Sequence, residues 1–342
     1  VPPIETPPAP ITLPATPAFQ GLPLNSSPPA TSARLVFIHH STGEDWLKPE
    51  GGNLRERLNQ NGYFVTDTTY DWGPPDQDVE DGKPIGHHTD IGHWYNWFLG
   101  PHREEYLRAL YSNSHVSDAI GENTLADPGG ENRVVLFKSC FSGAGQLLGN
   151  PDDPPLPQGE DNPLWGVGVC DDEQCSGDQY YTVSNIKGLY RDLLAYFVTQ
   201  PDKLFILITT PPSHDQAMAP EQAANLRAIN TWLVHHWLDG YPLNNVAVFD
   251  YFNVLTSNGG NANKNDIDAE SGSHHRFSDG QVEHMVGTSD FLAYPSEGPD
   301  NHPTSAGHQK AAEEFIPLLN IAYHCWQGDG GCPPLMGRET PH

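Results

Sequence analysis

The sequence predicts an α/β protein, a three-layer α/β/α sandwich with a central parallel sheet of about five strands. Three observations predict it. Short β-branched and aromatic runs recur along the chain, each bounded by glycine, proline or polar residues, as buried strands are. Between them lie stretches whose apolar residues repeat with the helical period, so strands and helices alternate as in parallel βαβ units. The longest insertions, residues 71–101, 144–180 and 256–299, each follow a predicted strand, and loops after strands decorate the functional edge of such a sheet.

Residues 1–31 hold ten prolines and one charged residue, Glu5, with neither helical nor strand period. They read as a proline-rich linker or arm that begins where a signal peptide has been removed, and Asn25-Ser26-Ser27 is a glycosylation sequon. A disordered tail and an arm that docks on a neighbouring subunit, giving a homo-oligomer or polymer, both fit. Residues 32–324 form the α/β/α domain, and 325–342 form a C-terminal tail clipped by a disulfide.

The first strand is the run Leu35-Val36-Phe37-Ile38, which breaks into His39-His40-Ser41-Thr42-Gly43. Ser41 is thereby delivered to the sheet edge, as a nucleophile or as a helix cap. Asn53 and Glu56 have capping-box spacing before the helical pair Leu54 and Leu58, and residues 63–70 supply the second strand. The loop region that follows carries Trp72, Trp94 and Trp97 among carboxylates and histidines. Tyr106, Leu107, Leu110 and Tyr111 mark a helix, and residues 133–137 the third strand. A helix over Val183 to Phe197, a strand at 203–210, a helix through Leu226 and Leu233, and a strand at 245–255 complete the alternation. Thr304 caps a last helix that runs toward Leu319.

Lysine and arginine number 17 against 44 acidic residues, a formal charge of -27, which excludes binding to a phosphate backbone. The balance suits an extracellular protein, a cation-rich environment or bound calcium. No apolar run approaches the roughly 18 residues of a membrane span. Cys170 and Cys175, and Cys325 and Cys332, form two close pairs in polar loops, read as disulfides of a secreted protein. A four-cysteine zinc site is the rival reading, and Cys140 is left as a buried thiol.

Asp300 and His302 stand two apart on a segment that Pro299 and Pro303 hold extended, just before the last helix. A carboxylate beside an imidazole fixes its tautomer and stabilises the imidazolium, which is what a serine hydroxyl requires of its base. His302-Pro303-Thr304-Ser305-Ala306-Gly307-His308 resembles the block around the catalytic histidine of the SGNH or GDSL-type serine hydrolases, and the predicted strand order agrees over residues 34–320. The resemblance implies a flavodoxin-like, SGNH hydrolase-like fold and an esterase that needs no cofactor. It casts Ser41 as nucleophile, His302 as general base and Asp300 as the orienting acid, and implies removal of acyl groups, often acetyl, from carbohydrate. The family's oxyanion asparagine has no counterpart after the third strand. The amides of Ser41 and Gly143 and the Lys138 ammonium are the candidates in its place.

His40, Trp72, Trp94 and Trp97 are candidate substrate-binding residues, with core packing the alternative for the tryptophans. His87, His88, Asp90 and His93 form the most metal-like cluster, and the oxygen-rich tract 261–272 leaves calcium as an alternative to plain loop solvation. A second function class stays open: a catalytically degenerate structural or carbohydrate-binding protein on the same scaffold, assembling through residues 1–31.

Overall fold

The computed structural model describes residues 22–74, 82–139, 147–168, 177–296, 301–334 and 336–337. Strand β1 (Ala33–Ile38) pairs in parallel with β2 (Tyr63–Thr68) on one side and with β3 (Val134–Lys138) on the other. β4 (Leu204–Ile208) and β5 (Val246–Phe249) extend the sheet to the order β2-β1-β3-β4-β5, all parallel. The predicted sheet is thus the one the chain forms.

Successive residues of each strand face opposite layers. Val36, Ile38, Val135 and Phe205 pack beneath α3 (Trp94–Phe98), α4 (Arg103–Tyr111), α5 (Val183–Phe197) and α6 (Pro220–His235). Leu35, Phe37, Leu136 and Ile206 pack beneath α1 (Ser41–Leu47), α2 (Leu54–Gln60), α7 (Tyr251–Val254) and α8 (Ser305–Gln327). Two covered faces explain why the strands read as unbroken apolar runs rather than as alternating ones. Trp46 is fully buried, its ring 6.0 Å from Phe249 and 5.3 Å from Phe315, which fastens α1 to the sheet and to α8. Burying a side chain of this kind stabilises by about 3 kcal/mol.

Four expectations are corrected. The apolar run at 245–255 is strand only to Phe249; the Asp250 side chain then accepts the Asn253 amide at 3.1 Å and starts α7. Asn53 makes no side-chain cap, because it sits at a φ of 52° and turns the chain into α2 through its backbone. The insertion at 256–299 contains an antiparallel hairpin, β6 (His274–Ser278) and β7 (Gln281–Met285), turning at Asp279 and Gly280 with φ of 48° and 79°. Both turn residues therefore have the positive φ that a tight hairpin prefers. Finally, α8 does not end near Leu319 but runs to Gln327, so the expected boundary at 324 falls inside a helix. Its last turn carries Cys325 to the predicted disulfide with Cys332. Among the described residues, no helix is long and apolar enough to cross a membrane.

Candidate active site

The carboxyl ends of the five strands form one rim, and the register keeps them level: Ile38 lies beside Thr68 and Phe137, and Lys138 beside Ile208. Strand order reverses between β1 and β3, and doubly wound sheets bind ligands in the crevice outside that point. Ser41 leaves β1 into this crevice. It is the half-buried first residue of α1, and the N-cap position falls on His40. Of the two roles the sequence leaves for Ser41, the cap therefore belongs to its neighbour.

Lys138 closes β3 on the other side of the crevice. It is fully buried, and its Nζ donates to the Ser139 carbonyl at 2.9 Å. Ser139 Oγ accepts the Trp94 indole N–H at 2.8 Å. Burial holds His308 down to about 3, helped by the charges of Lys138 and His302. Burial also holds His40 down to about 3, against the Gly86 hydrogen bond and with help from His39, Lys138 and His87. One buried cation thus bears on two neutral imidazoles, one beside Ser41 and one in the first turn of α8.

His302 lies on a short segment fastened at both ends. Asn301 Oδ1 accepts the His214 amide at 2.7 Å, in the loop that follows β4. The Thr304 amide donates to the Tyr294 carbonyl at 2.8 Å, and Ser305 Oγ donates to the Glu50 carbonyl at 2.6 Å, just beyond α1. The Trp46 indole N–H of α1 donates to the His308 carbonyl at 3.1 Å. These contacts tie the segment that carries His302 to the loop after β4 and, through the first turn of α8, to the far end of the helix that begins with Ser41. Asp300 and Gly143 lie outside the described residues, as do Cys140, Cys170 and Cys175.

The binding platform expected of the tryptophans is corrected. Trp94 and Trp97 are fully buried, their indole N–H groups spent on Ser139 Oγ and on the His88 carbonyl, so they are core residues. Trp72 is partly buried, stacks on Trp97 at 5.6 Å and donates to Asn113 Oδ1 at 3.2 Å. His40 stacks on Tyr70 at 3.9 Å and donates from Nε2 to the Gly86 carbonyl, and Tyr70 is 39% exposed. His39 is buried as well, with Nδ1 3.1 Å from the His40 carbonyl and Nε2 3.3 Å from Asp67 Oδ2.

The histidine-rich loop packs on itself. His88 Nδ1 meets His93 Nε2 at 3.4 Å, His93 Nδ1 accepts the Asp90 amide, and His87 Nε2 accepts from Lys83 at 2.9 Å. Burial holds His93 down to about 3. Among the described residues, no three His, Cys, Asp or Glu side chains are disposed around a metal position. In the tract proposed for calcium, the Asp266 carboxylate is taken by Lys310 at 2.6 Å, Ser257 at 2.8 Å and Tyr294 at 3.0 Å.

A buried polar chain at the end of β5 was not anticipated from the sequence. His284 Nε2 donates to Asp250 Oδ2 at 2.8 Å, and His284 Nδ1 meets His235 Nε2 at 3.1 Å. Thr209 Oγ1 donates to Asp250 Oδ1 at 3.1 Å, and His275 Nδ1 accepts the Asp250 amide at 2.9 Å. Burial alone would raise the Asp250 carboxyl, but the hydrogen bond and charge of His284, with His275 and the Asn253 amide, hold it below the usual range. The one signal in sequence was a carboxylate directly after a strand, followed by a histidine-bearing Asp-Gly hairpin.

Comparison with known proteins found no matching family model, no similar curated protein and no similar solved structure. The functional reading therefore rests on the rim itself.

Proposed function

We propose that the chain is a secreted serine ester hydrolase that removes acyl groups, acetyl foremost, from a carbohydrate or other extracellular substrate. The observation that carries the reading is the placement of Ser41 at the switch point of the sheet, with the His302 segment tied across to the end of α1. In this reading the Ser41 oxygen attacks the ester carbonyl while His302 takes its proton. The tetrahedral intermediate collapses to an acyl-enzyme, and His302 returns the proton to the departing alcohol. Water, deprotonated by the same imidazole, then releases the acid. In the same reading Asp300 orients the ring, and the Ser41 and Gly143 amides and the Lys138 ammonium are the candidates to meet the oxyanion.

Tyr70 supports a sugar-sized substrate, because its ring is partly exposed and stacks on His40, the residue that precedes Ser41. The Cys325–Cys332 disulfide supports an oxidising compartment. The test is hydrolysis by the purified full chain of a chromogenic acetyl ester and of acetylated polysaccharide, followed by acetate release. Turnover of both is expected, with acetyl preferred over long acyl chains; no acetate from any ester would overturn the proposal.

A further inference from the structure

A cavity lies at the other end of the strands, away from the rim that carries Ser41. It encloses about 670 Å³ between α4 and the end of α5 and reaches Glu131 and Gln200, just ahead of β3 and β4. Its apolar wall is Leu99, Leu107, Tyr111 and Tyr196, the two tyrosines joined by a 2.8 Å hydrogen bond, and Arg103 and Arg108 stand on it. Aromatic-lined grooves of this kind take up proline-rich segments, whose polyproline II conformation is already ordered before binding.

The chain contains such a segment. Residues 1–21 lie outside the described residues and hold seven prolines. With three residues per polyproline II turn, they sort into three edges. One carries Val1, Ile4, Pro7, Pro10, Leu13 and Phe19, and the next carries Pro8, Ile11, Pro14 and Pro17 along with Glu5. The third holds only small or polar residues after Pro3, among them Thr6, Ala9, Thr12 and Ala15. Every large apolar side chain thus falls on two adjacent edges, the pattern of a segment that lies in a groove with one edge outward.

The root of this arm is fixed by the structure. The Gly331 amide donates to the Pro23 carbonyl at 2.9 Å, and Asn320 and His324 of α8 bond the Ser26 and Ser27 carbonyls at 2.9 and 3.1 Å. Leu22 therefore leaves from the α8 layer, opposite the layer that holds the groove. Extended as polyproline II, 21 residues span about 65 Å. A domain of this length is only roughly 50 Å across, so an extended arm reaches past its own domain. Charge does not stand against this seat: the arm carries only Glu5, and in the groove's lining Arg103 and Arg108 balance Glu104 and Glu131, so an almost uncharged segment meets a surface of no net charge although each chain carries -27.

We infer that the groove lined by Tyr111 and Tyr196 seats residues 1–21 of a second copy of this chain, joining copies head to tail. Such an interface is heterologous and generates rings or open filaments rather than closed two-fold dimers. The inference stands independently of the esterase reading.

The test uses the full chain with Phe19→p-benzoylphenylalanine, irradiated as a mixture of ¹⁵N-labelled and unlabelled protein. The expected result is cross-linked species of dimer mass and above, with isotope-hybrid peptides mapping to residues 98–111 or 195–200. Ala195, exposed on the groove's edge, provides the control. Ala195→Arg, with unchanged circular dichroism and melting temperature, is expected to lose those cross-links and the concentration-dependent assembly that sedimentation is expected to show for the wild type. Cross-links confined to monomer mass, cross-links on another surface, an absence of cross-links, or cross-links undiminished by Ala195→Arg would each overturn the inference.

Discussion

Ser41→Ala is expected to lower kcat/KM for a small acetyl ester by roughly 10⁴- to 10⁶-fold, the loss that follows removal of a nucleophile from a serine–histidine pair. The fold should not notice the change. Ser41 is half-buried, occupies the first helical position rather than the cap, and α1 is held by Trp46 and its contacts with Phe249 and Phe315. A melting temperature within a few degrees of wild type is therefore expected alongside the lost activity. His302→Gln should cost about as much as Ser41→Ala, and the double variant little more, because residues that act as a unit are not additive. Wild-type rates in Ser41→Ala would remove the hydroxyl from the reaction, and fully additive losses would separate the two residues.

The second large effect is on stability. Between about pH 6.5 and pH 3 the unfolded chain binds protons at His40, His93 and His308 that the folded chain refuses, since burial holds all three near 3. More protons bound by the unfolded state means that stability rises with pH, so each histidine withdraws stability as pH falls through this window. Three protons correspond to roughly 4 kcal/mol per pH unit in mid-window, against a typical total of about 5–15 kcal/mol. Asp67 and Asp250 act lower down. Burial would raise both, but their histidine partners keep both carboxyls below the ordinary range. Their contribution is present above the unfolded carboxylate value of about 3.9 and is lost as pH falls through the depressed folded values. Urea unfolding midpoints should therefore fall steeply from pH 6.5 to pH 4.5, and His308→Gln should remove about one third of that slope. A flat profile over this range would contradict the buried neutral histidines.

The sheet was legible in the sequence because both of its faces are covered, so each strand is a plain apolar run and the helices between them keep their period. What escaped was structure made by polar residues. The hairpin over 274–285 buries His274 and His275 rather than aliphatic side chains, with His274 Nδ1 on Glu314 at 2.5 Å and the His275 amide on the same carboxylate at 2.9 Å. No hydropathy pattern announces a strand whose inward residues are histidines. The fifth strand was read too long because Tyr251, Phe252 and Val254 are as apolar as a strand, and only the Asp250 cap, a tertiary fact, turns them into helix. The tryptophans misled in the opposite direction. Carboxylates and glycines surround them in sequence, yet Trp94 and Trp97 fold into the core under α5, where aromatic area is worth most.

Within the candidate site, Ser41 and the His302 segment were found because strand ends and helix starts are readable and the rim follows from topology. The buried Lys138, whose charge bears on both His40 and His308, was not readable in that way. A lysine that closes a strand is normally solvated, and its burial depends on elements far away in sequence.

The central claim is that the hydroxyl following β1 is an activated nucleophile, and reaction with a fluorophosphonate probe followed by peptide mapping tests it most directly. The account predicts stoichiometric phosphonylation at Ser41, abolished in Ser41→Ala and strongly slowed in His302→Gln. Labelling at another serine, or a chain that stays unlabelled while fully folded, would contradict it.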